Sequence, residues 1–393
     1  MLTMFLIVFV DLVGFGIIIP LLPFYAEHFQ AEPDTVTLVM ATYSLTQFIA
    51  APFWGNLSDR IGRKPVLIVS VFGAALSYVW LGFAESLWML FAARAFGGFM
   101  AGNISAAFAY MADITTPENR AKGMGLVGAA FGLGFIAGPA IGGILAGPDP
   151  VNADYQSPAF AAAALSVVAL LMATVLLKES LSEDVRAKAR ANGRQSRLVQ
   201  FQNALRRPGM GLLIALSFLS VFVFAGMEST FAMWSRRQFD WGPEQNGWLF
   251  ASVGLMAAVI QGGLVGKLAR RFGESRLVIV GAAALALGMG ILPFATGLPL
   301  LVLSMGAMAF GFSIMTPSLN SLISLSAGEA EQGSIMGVTR SASTLARVIG
   351  PALAGALFAA FGKDWPYYFG AVVMIAVAAL AARALRRPLN HQV

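Results

Sequence analysis

The chain has 393 residues; 58% are hydrophobic, only 12% are charged, and the mean hydropathy is +0.74. A soluble domain carries about a quarter charged residues, so this composition cannot clothe a water-facing surface, whereas lipid accepts it. Cysteine is absent and the two histidines, His28 and His391, stand at opposite ends of the sequence, so disulfides are excluded and neither a metal nor a cofactor is expected.

A spanning helix needs ~20 apolar residues. Apolar stretches occur at roughly 3–26, 35–57, 65–84, 87–111, 121–146, 158–177, 209–232, 243–266, 275–296, 298–324, 333–360 and 365–383. Lipid leaves no partner for a free backbone group, so each stretch must close its hydrogen bonds within a helix or a sealed barrel. Barrel strands alternate over ~10 residues, and these long unbroken runs do not. The expectation is an all-α membrane protein of twelve transmembrane helices in two pseudo-symmetric six-helix bundles.

The net charge of +6 raises nucleic acid as a partner, but its placement argues against that. The loops after the second, fourth, sixth and eighth stretches, with the C-terminal tail, hold 20 of the 26 Lys and Arg. The opposite loops hold Arg236, Arg237 and Lys363. The positive-inside rule then places both termini in the cytoplasm. The first stretch lacks a basic start and a small-residue cleavage site and carries Asp11, so it reads as a helix and not as a leader.

Residues 178–208 form the one long polar connection. They separate an N-terminal bundle, 1–177, from a C-terminal bundle, 209–393, and read as a cytoplasmic linker that is partly an amphipathic surface helix. The halves repeat. Gly55-Asn-Leu-Ser-Asp59-Arg60-Ile-Gly62 matches Gly266-Lys-Leu-Ala-Arg270-Arg271-Phe-Gly273, and Gly138-Pro139 followed by Gly143 matches Gly350-Pro351 followed by Gly355. Two motifs in the same order at nearly one offset indicate a duplicated unit, an architecture of carriers that rock two halves around a central site.

Four motifs carry chemistry. The first stretch reads Asp11-Leu-Val-Gly14-Phe-Gly16-Ile-Ile-Ile-Pro20-Leu-Leu-Pro23, with Asp11 about 12 Å along a helix rising 1.5 Å per residue. An acid at that depth either handles protons or cations or bonds a neighbouring helix. Gly55-x-x-x-Asp59-Arg60-x-Gly62-Arg63-Lys64-Pro65 joins the second and third stretches: glycine permits the tight turn, and Asp59 suits a helix N-terminus or the adjacent cations. Its simplest reading is a topology-setting basic loop. Leu90-x-x-x-Arg94-x-x-x-Gly98 puts an arginine inside the fourth stretch, where it costs ~2.5–3.5 kcal/mol or more and therefore faces protein or a wet cavity. The fifth stretch spaces Gly125, Gly134, Gly138, Pro139, Gly142 and Gly143 so that glycines at i and i+4 admit a close neighbour and proline bends the helix.

Together these motifs resemble the major facilitator superfamily over almost the whole chain, nearest to its twelve-helix tetracycline and multidrug exporters. The resemblance implies a secondary transporter working by alternating access, with proton-coupled export of small lipophilic drugs or metabolites. It implies that Asp59, with Arg60 and Arg63, latches the halves on the cytoplasmic side, with Gly55, Gly62, Asp113 and Arg120 around it. It also implies that Arg94 takes part in proton transfer, and that the fifth-helix glycines form an antiporter signature. The tetracycline exporters carry an acid in the third helix, a histidine in the eighth and an acid in the ninth. Ser77, Ala257 and Leu285 stand there in this chain, which points away from tetracycline.

Glu228 is the other intramembrane acid, toward the outer face of the seventh stretch. It is open to a role in binding a cationic substrate, in relaying protons, or in pairing with Arg236 or Arg237. Arg340 and Arg347, seven apart and so on one helical face, are candidates to meet Asp59, Asp113 or an anionic substrate. The substrate cavity is expected among the first, fourth, seventh and tenth helices, with Phe15, Tyr43, Gln47, Asn103, Ser105, Phe224, Gln261, Phe312 and Asn320 as candidate lining. An uncoupled facilitator is the alternative reading. A lipid-modifying membrane enzyme would need a nucleophile, base and metal cluster, and ATP drive would need a Gly-Lys-Ser/Thr loop; neither is present. The expected partners are a small-molecule substrate, protons and membrane lipid, with the chain working as a monomer in a bacterial inner membrane.

Overall fold

The structure is a computed structural model describing residues 1–116, 119–181, 209–327 and 332–385. The side chains of Asn103, Arg120 and Lys122, and the expected linker from residue 182 onward, lie outside the described residues. Among these residues every regular element is a helix and there is no strand.

The first apolar run is two helices, α1 (Leu2–Ile18) and α2 (Leu22–His28). Pro20 and Pro23 explain the break: each lacks an N–H, and each ring crowds the carbonyl four residues earlier. Then come α3 (Pro33–Ile61) and α4 (Arg63–Gly82). The fourth run is α5 (Leu87–Met100), a 3-10 turn (Ala101–Asn103) and α6 (Ile104–Asp113). Next are α7 (Arg120–Ala146), α8 (Gln156–Leu176) and α9 (Met210–Phe239). The eighth run is α10 (Pro243–Val259), a π turn (Ile260–Leu264) and α11 (Val265–Phe272). The chain finishes with α12 (Glu274–Ile291), α13 (Leu298–Leu325), α14 (Gln332–Phe361) and α15 (Trp365–Ala384). Among the described residues eleven helices, some continuing through such turns, are long and apolar enough to cross a membrane. The fourth run, interrupted at Ala101–Asn103, completes the expected twelve passes.

The outward faces are apolar. Trp88 is 82% exposed, Val175 78% and Leu325 73%. Patches of that kind on a water-soluble protein would drive association, whereas hydrocarbon covers them without cost. Inward faces are lined by small residues. On α8, Ala159, Ala162, Ala163, Ala169 and Ala173 are buried, so that α1 and α4 pack close against it.

Contacts divide the chain into two units: Met1–Arg194 with Ser235–Leu255, and Gln195–Trp234 with Met256–Val393. The end of α9 and most of α10 thus group with the N-terminal helices. One physical reason is the approach of α10 to α7, where a Cβ on Gly143 would lie 2.8 Å from the Pro243 carbonyl and 3.1 Å from Gly247.

The internal repeat is visible as repeated contacts. Gly138 on α7 lies against Gly16 on α1, where a Cβ would come within 2.6 Å of backbone. In the other unit Gly350 on α14 lies against Phe222 of α9, where a Cβ would collide with the Phe222 carbonyl, and Gly226 of α9 faces Gly350 in turn. Ser77 of α4 donates to the Ala93 carbonyl of α5 at 2.9 Å, and Ser304 of α13 donates to the Gly288 carbonyl of α12 at 2.7 Å. Serine and carbonyl have exchanged helices between the halves, but the contact is kept. The turns before α4 and α12 both hinge on a glycine with positive φ, Gly62 at 113° and Gly273 at 79°.

Candidate functional site

Four charged or polar centres stand out. In the first unit Asp11 sits midway along α1, partly buried, and accepts a hydrogen bond from the Ser166 hydroxyl of α8 at 3.4 Å. Among the described residues it has no ion pair. Arg94, 6% exposed, lies on α5 with its guanidinium carbon 4.2 Å from the centre of the Tyr43 ring on α3. Its Nε is buried and has no hydrogen-bond partner among the described residues. Phe15 packs on Tyr43 with ring centres 5.1 Å apart and meets Phe135 edge-on at 6.1 Å. Asp11, Phe15, Tyr43 and Arg94 therefore belong to one neighbourhood, joined through α1, α3 and α5.

The fourth-helix motif explains how Arg94 is held. Leu90, Arg94 and Gly98 follow one buried stripe. A Cβ on Gly98 would collide with the Tyr43 carbonyl, so glycine lets α5 lie directly on α3. Around the 3-10 turn α3 adds donors to the backbone: Gln47 Nε2 donates to the Ala101 carbonyl at 3.2 Å and Trp54 Nε1 donates to the Phe99 carbonyl at 2.6 Å. Ser105 Oγ donates to Gly102 at 3.4 Å. Gln47 and Ser105, candidates for substrate contact, thus spend hydrogen bonds on stitching the broken helix.

The second centre lies where the loops after the second, fourth and sixth passes meet. Arg63 Nη1 donates to Asp59 Oδ1 at 2.5 Å and to Ser58 Oγ at 2.6 Å, and its Nε donates to Asp113 Oδ2 at 3.2 Å. Ser180 also donates to Asp113, at 3.0 Å. Glu179, just beyond α8, accepts from the backbone N–H of Arg63 at 2.9 Å and of Lys64 at 3.2 Å. It caps the start of α4 from a distant part of the chain, satisfying amides that α4 leaves free. Asp59, Gly62, Arg63 and Asp113 are brought together within the first unit. Gly55 is buried one turn earlier, and Arg60 is exposed.

The third centre is at the other end of the same helices. Glu27 of α2 receives Arg236 Nη1 at 2.8 Å and Arg237 Nη1 at 2.9 Å, both from the last turn of α9. Tyr25 and Tyr155 stack beside it with ring centres 4.5 Å apart. Tyr155 lies ahead of α8, outside the spanning segments; burial pushes its phenol up to about 12, and Arg236 opposes the shift. Asp149, in the exposed turn before it, is held below the usual carboxylate range by the Asn152 side chain and by the N–H groups of Val151 and Asn152.

The fourth centre gives Glu228 a partner other than the two arginines considered for it. Glu228 of α9 does not reach Arg236 or Arg237, which are held by Glu27. It accepts instead from Arg347 Nη1 of α14 at 3.2 Å. Glu228 points across to α14, where Gly226 and Gly350 bring the helices together; Arg236 and Arg237 stand two turns further along. Arg347, a candidate partner for Asp59 or Asp113, is accordingly engaged by an acid of its own unit. Arg340 is exposed, two turns before it. One turn before Glu228, Phe224 stacks on Phe312 of α13 with ring centres 4.0 Å apart. Gln261 is exposed in the π turn, and Asn320 is partly buried on α13.

The antiporter-type glycines separate by neighbour. Gly134, Gly138 and Gly142 face α1 at Leu12, Gly16 and Ile17, with Pro139 beside Gly16, while Gly143 faces α10. A methyl group placed on Gly125 would have nothing within 4 Å among the described residues. Sequence reasoning missed Glu27, Glu179 and Ser166; the acid at the end of a proline-broken helix, followed by two consecutive arginines 209 and 210 residues on, held no local signal.

A duplicated twelve-pass helical architecture with charged centres inside its membrane helices is that of a membrane transporter. The family model of the Major Facilitator Superfamily matches residues 4–347 and, a second time, 235–392. The chain belongs to the Major Facilitator Superfamily. It is 32% identical over 363 residues to the tetracycline resistance protein, class C, of Escherichia coli, covering 90% of this chain and 88% of that protein. It is 30% identical over 372 residues to multidrug resistance protein 2 of Bacillus subtilis (strain 168), covering 94% and 90%. The crystal structure of the human organic anion transporter MFSD10 (TETRAN) superposes with a TM-score of 0.72 at 25% identity, covering 96% of this chain and 98% of that one.

Proposed function

We propose that the chain exports small lipophilic drugs or metabolites in exchange for protons, its two six-helix halves alternating access across a bacterial inner membrane with both termini in the cytoplasm. The observation that carries the coupling is Asp11. It is a carboxylate inside an apolar helix whose partner is the Ser166 hydroxyl, not a cation. A hydroxyl can donate to the carboxylate or accept from the carboxylic acid, so both protonation states are accommodated without breaking an ion pair. A proton carrier has that requirement; a purely structural acid is served better by a fixed cation. Arg94 supplies a buried positive charge in the same neighbourhood without neutralising Asp11 outright.

The named functions of the tetracycline and multidrug relatives support export of drug-like molecules. Tetracycline itself is disfavoured. Where those exporters carry an acid in the third helix, Ser77 is tied to the Ala93 carbonyl. Leu285 is fully buried against Gly311 of α13 and offers no polar group. The network of Asp59, Arg63 and Asp113 is read as the cytoplasmic latch, and the chain as working singly. The test is transport in proteoliposomes with and without an imposed pH gradient: substrate accumulated uphill only when the gradient is present supports exchange, and accumulation indifferent to the gradient refutes it.

A further inference from the structure

The second unit carries a charged site of its own, and its composition is unbalanced. Along one face of α14 stand Arg340, Thr344 and Arg347, at spacings of four and three. Arg347 meets a single carboxylate oxygen of Glu228 through one nitrogen, at 3.2 Å. That contact leaves most of the guanidinium's donors for another group, since a planar guanidinium offers five in a fork matched to a two-oxygen anion. The accessibilities are unequal: the Arg347 side chain is 39% exposed and that of Glu228 only 12%. The cation is therefore the half of the pair that an incoming molecule meets first. Arg340, exposed on the same face, adds a second positive charge.

An apolar shelf adjoins the pair. Phe224 and Glu228 are four apart on α9 and share a face. Phe224 is stacked nearly flat on Phe312, at an angle of 13°. Three helices of one unit, α9, α13 and α14, thus present an aromatic surface, a half-satisfied guanidinium and a carboxylate that can be displaced.

Resting on the reading of the chain as an exporter of small molecules, we infer that its substrates are amphipathic aromatic anions or zwitterions whose carboxylate or sulfonate takes the place of Glu228 on Arg347. In the empty site Glu228 holds the guanidinium oriented. On binding, the substrate anion forms the two-pronged contact that Glu228 makes with only one oxygen, its ring rests against Phe224 and Phe312, and Glu228 is released. The released carboxylate then accepts the ammonium of a zwitterion, which gives such molecules a second contact. No covalent step is involved.

The sign of the Glu228 effect distinguishes this exchange from a cation site, in which the carboxylate itself would be the ligand. Purified full-length protein in nanodiscs is titrated with three probes of one scaffold: naphthalene-2-sulfonate, 2-naphthylmethylammonium and 2-naphthylmethanol. The sulfonate is expected to bind at least tenfold tighter than the ammonium. Glu228→Gln removes the competitor for Arg347 and is expected to tighten sulfonate binding several-fold. Arg347→Gln is expected to abolish the preference while retaining binding of the neutral alcohol, which shows the site intact; Arg347→Lys is expected to retain part of it. A wild-type preference for the ammonium, or sulfonate binding weakened by Glu228→Gln, overturns the inference. Uphill export of the same probes from proteoliposomes is measured in parallel. Sulfonate preference without uphill movement of any probe leaves this site standing and removes the export reading; uphill movement without the preference does the reverse.

Discussion

The guanidinium of Arg94 rests on the face of Tyr43, its central carbon 4.2 Å from the ring centre, so that a charge inside the membrane helices is balanced by an aromatic quadrupole instead of a carboxylate. In a desolvated setting such a contact is worth about 2 kcal/mol. Tyr43→Phe keeps the ring and is expected to unfold at nearly the wild-type temperature. Tyr43→Leu removes it and is expected to lose about 2 kcal/mol by the same reasoning. Thermal unfolding in detergent, followed by intrinsic fluorescence, reads both. Equal loss in the two variants would place the stabilisation in the Tyr43 hydroxyl.

The fifth-pass glycines give a matched pair. A methyl on Gly138 would stand 2.6 Å from the backbone of Gly16, and both are in helices that cannot part without disturbing α1 as a whole. Gly138→Ala is therefore expected to destabilise by about 1–3 kcal/mol, the cost of overpacking. Gly125→Ala meets nothing within 4 Å and is expected to gain up to about 1 kcal/mol from helix propensity. Urea or thermal unfolding of the two variants checks the ordering; a Gly125→Ala variant as unstable as Gly138→Ala would contradict it.

Glu27 and its two arginines should behave unequally. One carboxylate serves both cations, and it is 9% exposed while Arg236 and Arg237 are 31% and 39% exposed. Either arginine alone still satisfies Glu27, so each single Arg→Ala is expected to cost well under about 1 kcal/mol after solvent screening. The double variant leaves a buried carboxylate without a cation and is expected to cost more than the sum of the singles. A double-mutant cycle on unfolding measures the excess, and strict additivity would show that the two arginines act separately.

Much of this was legible because lipid allows few solutions. The twelve passes, the glycine turns at Gly62 and Gly273 and the duplicated Gly-Pro motif are written in local composition, and most elements fall within a few residues of their apolar runs, whereas α9 continues to Phe239, seven residues past its run, and takes in Arg236 and Arg237, which were expected in a loop. Pro20 and Pro23 announce the end of α1, but the 3-10 turn at Ala101–Asn103, where Gln47 and Trp54 of α3 donate to the Ala101 and Phe99 carbonyls, and the π turn at Ile260–Leu264 had no local signal. Partners across the fold were the hardest. Glu228 met Arg347 and not the nearer arginines because the approach of α9 to α14 at Gly226 and Gly350 decides the pairing, and sequence distance does not.

The two ends of the first unit gather different loops. Asp59, Arg63, Asp113, Glu179 and Ser180 gather at one end of the first unit, and Glu27, Tyr155, Arg236 and Arg237 at the other. The basic turn carrying Arg63 belongs to the first end, and a single cysteine at Ser182, in this cysteine-free chain, is expected to react only from inside the cell. A cysteine at Asn152, in the exposed turn at the other end, is expected to react with an impermeant maleimide from outside. Labelling in the reverse sense would invert the assignment of both termini.

The proposed coupling of transport to protons is tested at Asp11. Its hydroxyl partner leaves both the charged and the neutral carboxyl accommodated, whereas Glu228 is engaged with a cation. Asp11→Asn fixes the neutral form. It is expected to abolish accumulation against a gradient while substrate binding and downhill movement persist, because the site inferred in the second unit is untouched. Ser166→Ala removes the hydroxyl that steadies the carboxylate and is expected to shift the pH at which uphill transport is half-maximal without abolishing it. Glu228→Gln is expected to change which probes are accepted while the response to a pH gradient survives for those still bound. Proteoliposome transport with the gradient imposed or collapsed, repeated over a range of pH for the three variants, separates these outcomes. If Asp11→Asn still concentrates substrate and Glu228→Gln does not, the two carboxylates have been assigned the wrong way round, and the proton follows the ion pair of α9 and α14.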